Sequence, residues 1–215
     1  MTIVSSIIKL MKNLIFDFDG TIADSVALAK ELANEILPKL GKDPLTDKDI
    51  EKIRTMTIPQ GFKYVGVPFY KLPSLVVQAK QIIGRRIGEL QPIDGVVEVL
   101  EKLPENTHIG ILTSNTEKNV MSFLRRHKMT KYFDYIDTSV GIFTKSRKLK
   151  QTIKRHKLKK KDTIYVGDEI RDVEAAKSVG MPVAAVSWGA NHPKVLKEYN
   201  PDYLIKKPKD LLKLI

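Results

Sequence analysis

The run Asn13-Leu14-Ile15-Phe16-Asp17-Phe18-Asp19-Gly20-Thr21 ends an apolar segment in two carboxylates separated by one residue, a glycine and a hydroxyl. Three further groups follow buried-looking stretches in the same way: Thr113-Ser114-Asn115, Lys145, and Gly167-Asp168-Glu169-Ile170-Arg171-Asp172. Paired carboxylates, hydroxyls, an ammonium and a second carboxylate pair form a set that can hold Mg²⁺ and a phosphoryl group together. Taken singly, some of these groups have ordinary structural readings. Asp-Gly is a turn pair. Thr113-Ser114-Asn115 and Asp168 also suit helix caps.

The surrounding pattern supplies elements able to position them. Asn13–Phe16 reads as a buried strand running into a Gly-containing loop. Between residues 24 and 92 the period turns helical, with Val26, Leu28, Ala29, Leu32, Ala33, Ile36 and Leu37 on one face and Gly41, Pro44, Pro59, Pro68 and Pro73 as punctuation. From residue 93 onward helix and strand alternate: a helix near 96–103, strand 108–112, helix 117–127, strand 135–138, a basic helix 146–156, strand 163–166, helix 172–179, strand 183–186 and a last strand near 202–205. This alternation predicts an α/β fold, a doubly wound, parallel, Rossmann-like sheet, with a small helical cap inserted after the first strand. The expected division is a core of 1–23 and 93–215 and a cap of 24–92. In such sheets the site lies beyond the carboxyl ends of the strands, where strand order reverses.

The motifs resemble those of the haloacid dehalogenase superfamily. Its Asp-x-Asp-x-Thr strand end is matched by Asp17 to Thr21, its strand-closing Thr by Thr113, its lone Lys by Lys145 in Phe143-Thr144-Lys145-Ser146, and its Gly-Asp-x-x-x-Asp by Gly167 to Asp172. The order of the motifs is also the family's. Within the superfamily the chain is most similar to the phosphoglycolate phosphatase-like branch, through Val166-Gly167-Asp168-Glu169 and Ala184-Ala185-Val186-Ser187-Trp188-Gly189.

The resemblance implies a Mg²⁺-dependent phosphohydrolase acting on a small phosphomonoester through an aspartyl-phosphate. Asp17 is then the nucleophile and Asp19 the acid and base, and a second Asp at that position points to a phosphatase rather than a dehalogenase. Thr113 and Lys145 complete the catalytic set. Thr21, Ser114, Asn115 and, from the cap, Arg54 are candidates for phosphate or substrate binding. The metal ligands are Asp17, Asp19 through its main-chain carbonyl, Asp168 and Asp172. Lys148 is an alternative to Lys145, because basic residues crowd this stretch and Ser146 stands where relatives carry Pro. Lys63 and Lys71 are further cap candidates. Trp188-Gly189 and Asn191 either border the site or pack beside a turn.

Composition narrows the rest. With 215 residues, 42% of them hydrophobic and 29% charged, the chain can bury a core and has the make-up of a globular protein. It has no cysteine, which excludes disulfides, thiolate metal sites and thiol nucleophiles, and a cytoplasmic setting is expected. The apolar stretch Ile3–Met11 is interrupted by Lys9 and followed by Lys12, unlike a signal peptide, and Met11 is an alternative start. A net charge of +12 favours anionic partners, here a small phosphorylated metabolite. The run Lys154-Arg155-His156-Lys157-Leu158-Lys159-Lys160-Lys161 lacks interleaved aromatics and reads as a solvated face rather than a nucleic-acid surface. No metal spacing links His108, His127, His156 and His192, and no membrane span is expected. The alternatives are a phosphomutase on the same scaffold and a non-catalytic nucleic-acid-binding or scaffold protein; either a monomer or a homodimer fits.

Overall fold

The computed structural model describes residues 13–138 and 144–215. The apolar N-terminal stretch, Met11 and Phe143 lie outside the described residues. Six strands form one parallel sheet: β1 (Asn13–Phe16), β2 (His108–Thr113), β3 (Tyr135–Thr138), β4 (Thr163–Gly167), β5 (Val183–Val186) and β6 (Tyr203–Ile205), in the order β3-β2-β1-β4-β5-β6. The chain winds from β1 outward to β3, then returns to the other side of β1 to begin β4. Strand order therefore reverses between β1 and β4, and a doubly wound sheet opens its binding crevice at that point.

Alternation along the strands divides the core into two layers. Leu14 and Phe16, Ile109 and Ile111, Ile164 and Val166, and Ala184 and Val186 face one side. There they meet α5 (Val96–Lys102) through Val96, Val99 and Leu100, and α6 (Glu117–Arg126) through Val120, Phe123 and Leu124. Phe18, just beyond β1, sets its ring edge-on to Phe123 at 5.1 Å. Ile15, Leu112, Tyr165, Val183 and Ala185 face the other side, against α7 (Lys145–Arg155), α8 (Ile170–Ser178) and α9 (Pro193–Glu198). Strands buried on both faces explain why their sequences read as continuous apolar runs.

Between β1 and β2 the chain forms α1 (Val26–Ile36), α2 (Asp47–Ile53), α3 (Ile58–Tyr64) and α4 (Leu72–Arg86). It leaves and returns side by side. The Asp24 N–H donates to the Gln91 carbonyl at 2.9 Å, and the Ile93 N–H to the Ile22 carbonyl at 2.8 Å. Arg86 at the end of α4 reaches back to Glu31 on α1 at 2.8 Å and to its own neighbour Glu89 at 2.6 Å.

Three details differ from the sequence-based expectation, the first being that α8 begins at Ile170 rather than at 172. Lys145 is the first residue of α7 rather than the residue before it, because Thr144 takes the N-cap position. Helix α9 had no visible helical period; Pro193 starts it, and the His192 ring accepts from the Lys194 N–H at 3.2 Å.

Helix α7 is tied to β3 by a buried carboxylate. Asp137 accepts from the Thr152 hydroxyl at 2.5 Å and from Arg155 Nη1 at 2.6 Å. Beside it the Tyr135 ring stacks on His156, 3.6 Å between centroids. That ring occupies the space over Gly110, where an added Cβ would fall inside it. Gly110→Ala is thus expected to destabilise the protein by about 1–3 kcal/mol, the usual cost of overpacking. Urea denaturation measures this, and an unchanged midpoint would contradict the packing described.

Candidate active site

The carboxyl ends of β1, β2 and β4 converge with the N-terminus of α7, and the chemically active side chains gather there. Asp17 follows β1 directly and is pinned at both oxygens. Oδ1 accepts from the Phe18 N–H at 2.8 Å, and Oδ2 accepts from Lys145 Nζ at 2.6 Å. The same ammonium donates to Asp172 Oδ1, so one cation sits between two buried carboxylates. Asp172 also caps its own helix: its Oδ2 accepts from the Glu169 N–H at 3.0 Å, closing a capping box at the start of α8.

Asp168 is fully buried. Its Oδ1 accepts from the Thr21 hydroxyl at 2.7 Å and its Oδ2 from the Ala190 N–H at 2.7 Å. Gly20, at φ +74°, and Gly189 both press on this carboxylate, so that a Cβ at either place would overlap it. Only glycine allows the two loops to close over Asp168. Arg171 pairs with Glu169 through Nε at 2.6 Å and Nη2 at 2.6 Å.

Asp19 stands two residues beyond Asp17, and both its oxygens accept from Asn115 Nδ2, at 3.3 and 3.2 Å. Asn115 itself closes a tight turn after β2, its N–H donating to the buried Thr113 hydroxyl at 2.9 Å. Ser114 lies between them, half-buried.

The electrostatics follow from this crowding. Burial pushes the Asp17 carboxyl up to about 7, against the pull of Lys145. Burial raises Asp168 well above the usual carboxylate range, with Glu169, Asp172 and Asp17 adding to the effect. Asp19 is also raised by desolvation, while the Asn115 amide works the other way. Burial opposes the charge on Lys145, yet Asp17 and Asp172 outweigh it and hold the ammonium protonated. Lys145 and Arg171 are the cations that act most strongly on this group of carboxylates among the described residues.

The donor set suits a divalent cation. Asp17, Asp168 and Asp172 each offer an oxygen, all within 4.8 Å of one another, and all three residues are buried. Carboxylate oxygens are hard ligands of the kind that Mg²⁺ and Ca²⁺ take. An added positive charge would also relieve the excess of carboxylates.

The structure therefore brings together Asp17, Asp19, Thr113, Ser114, Asn115, Lys145, Asp168 and Asp172. Lys145 makes the ion pairs with the site; Lys148 lies a turn along the same helix, half-buried. Thr21 stands behind the cluster with its hydroxyl engaged on Asp168. Arg54 lies at the end of α2, Nε to the Ala190 carbonyl at 3.3 Å and Nη2 to the Gly189 carbonyl at 3.2 Å. Asn191 answers from the loop, donating through Nδ2 to the carbonyls of Arg54 and Met56 at 3.0 and 3.1 Å. Trp188 packs against the core and donates from its indole N–H to the Thr21 carbonyl at 3.2 Å. Asn191, one of the residues expected either to border the site or to pack beside a turn, thus stands next to it, while the pairing of Arg171 with Glu169 became visible only in three dimensions.

A motif set of this kind at the switch point of a parallel sheet belongs to a defined class of hydrolases. The family model for haloacid dehalogenase-like hydrolases matches residues 14–186, and the chain belongs to that family. It is 34% identical over 206 residues to the phosphoglycolate phosphatase of Synechococcus elongatus, covering 95% of this chain and 97% of that one. It is 23% identical to the pyrophosphatase PpaX of Listeria innocua, covering 94% and 95%. Among solved structures, a putative phosphoglycolate phosphatase from Lactobacillus plantarum superposes with a TM-score of 0.81 at 19% identity, covering 96% of this chain and 100% of that one.

The raised Asp17 pKa carries a stability consequence. The fold keeps that proton up to about pH 7, whereas an ordinary Asp releases it near 3.8. The folded state binds the extra proton between those values, so stability of the metal-free protein falls as pH rises through that window. Melting temperatures measured from pH 4 to 8 should show the fall, and Asp17→Asn should make it shallower, leaving the part due to Asp168 and Asp19. A slope unchanged in the variant would contradict the assignment.

Proposed function

We propose that the chain is a Mg²⁺-dependent phosphomonoesterase that forms a covalent phosphoryl intermediate on Asp17, with a small phosphorylated acid such as 2-phosphoglycolate as substrate. The observation that carries this reading is the Asp17–Lys145–Asp172 bridge beside Asp168, with Asp19 two residues beyond Asp17 on the same loop after β1. The 34% identity to a phosphoglycolate phosphatase over nearly the whole of both chains supports the substrate class.

The roles follow from the groups available. Asp17 Oδ attacks phosphorus in line, and the Lys145 ammonium offsets its charge as the phosphoryl group approaches. Thr113, Ser114 and the backbone N–H groups of the two strand-end loops are placed to hold phosphoryl oxygens. Asp19 protonates the departing oxygen and then takes a proton from the water that hydrolyses the aspartyl-phosphate. When bound by Asp17, Asp168, Asp172 and the Asp19 carbonyl, Mg²⁺ supplies the positive charge that lets a carboxylate meet a phosphate dianion.

Residues 24–92 serve as the cap over this site. Arg54 and Asn191 join it to the loop that also presents the Ala190 N–H to Asp168, so the same segment touches both cap and metal ligand. The protein works in the cytoplasm; no described helix is long and apolar enough to cross a membrane.

The test is phosphate release from a panel containing 2-phosphoglycolate, sugar phosphates, nucleotides and pyrophosphate, with Mg²⁺ and with EDTA. Release is expected with Mg²⁺ only, with 2-phosphoglycolate preferred, and Asp17→Asn should lower it at least about a thousandfold, as loss of a covalent nucleophile does. Folded protein that releases phosphate from no panel member in Mg²⁺ would overturn the reading.

A further inference from the structure

Asn119 is a buried amide on the core-facing side of α6, flanked by the buried Val120 and one turn before Phe123. A polar side chain in that place costs stability unless its hydrogen bonds are met. Its Nδ2 donates to Asn115 Oδ1 at 2.9 Å. The same oxygen accepts from the Thr116 N–H at 2.8 Å. Two N–H donors thus converge on one end of the Asn115 carboxamide, and that end must be the oxygen. The NH₂ end is left to face Asp19, where it donates to both carboxylate oxygens at 3.3 and 3.2 Å.

We infer that Asn119 is a positioning residue for Asp19, acting through Asn115, and that helix α4 of the insert bears on the same chain of contacts at Gly84. This rests on the reading of Asp19 as the acid and base. Without the second donor, the Thr116 N–H and Asp19 itself are left to hold the Asn115 amide in this orientation. A turned amide would present an oxygen to the carboxylate and push it out of line with the leaving group. Gly84 is the point at which α4 meets this relay. A Cβ there would lie 3.2 Å from Asn119 Oδ1 and 3.3 Å from Nδ2, closer than ordinary contact. The glycine leaves room for the amide, and a shift of α4 is transmitted to it.

A role in placing the acid differs from a role in packing in its dependence on the leaving group. An alkyl phosphate needs its departing oxygen protonated, whereas p-nitrophenolate leaves without help. The experiment compares kcat/KM for 2-phosphoglycolate and p-nitrophenyl phosphate, with Mg²⁺, in wild type, Asn119→Leu and Gly84→Ala. Asn119→Leu keeps the branching at Cγ, fills the space with apolar atoms and removes the donor. It should lose about tenfold on 2-phosphoglycolate, the scale of one hydrogen bond, and less than about twofold on p-nitrophenyl phosphate. Gly84→Ala puts a better helix former into α4 while crowding the Asn119 amide; with its melting temperature measured alongside to confirm folding, it should show the same selective loss. Where Asn119→Leu does not fold, Gly84→Ala decides the matter. Equal losses on the two esters, or none, overturn the relay while leaving the phosphatase reading intact. A wild-type protein that turns over neither ester overturns that reading and the relay with it.

Discussion

The Lys145 ammonium held between Asp17 and Asp172 is the constraint on which the site depends. Burying like charges at the end of a parallel sheet is costly, and a cation in contact with both is what makes it tolerable. Removing that cation would leave Asp17 and Asp172 facing each other in a region from which water is excluded. The position of Lys145 is in turn set by the anchoring of α7. Leu149 and Ile153 enter the core, while Thr152 and Arg155 bind Asp137 of β3. A charge at the active centre is thus fixed by contacts made two and three turns along the helix.

Asp168 is organised on a different principle. Its oxygens are met by a hydroxyl and a backbone N–H rather than by a side-chain cation of the described residues. Both come from loops whose glycines allow close approach, one after β1 and one after β5. The second loop is stitched by Arg54 and Asn191 to the helical insert, so the insert and the loop that meets Asp168 are joined through a few hydrogen bonds. The histidines stand apart from this machinery. His127 binds the Leu90 carbonyl at 3.0 Å, His192 caps α9, and His156 stacks on Tyr135.

Much of this was legible in the sequence because it is local. Asp17 and Asp19 sit at the end of an apolar strand, and a carboxylate two positions from another declares itself in any reading. Gly167 through Asp172 did so for the same reason, and the alternation of helix and strand from residue 93 determined the sheet. What stayed hidden is contact between distant segments. Asn119 is an unremarkable polar residue until α6 turns it inward onto Asn115. Asn191 reads as part of a loop until its amide meets the carbonyls of residues 54 and 56. Lys145 could be singled out from its basic neighbours only by resemblance, since nothing in the spacing of Lys145, Arg147, Lys148 and Lys150 says which one the helix cap will point at the carboxylates.

The claim that most depends on all of these contacts is that Asp17 becomes phosphorylated. Rapid acid quenching of the Mg²⁺-loaded protein during turnover of 2-phosphoglycolate, followed by mass spectrometry of its peptides, tests it directly. A phosphoryl adduct on the peptide containing Asp17, absent from the Asp17→Asn protein, is the predicted result. Steady turnover with no adduct on that peptide, or an adduct on a different residue, would contradict the account.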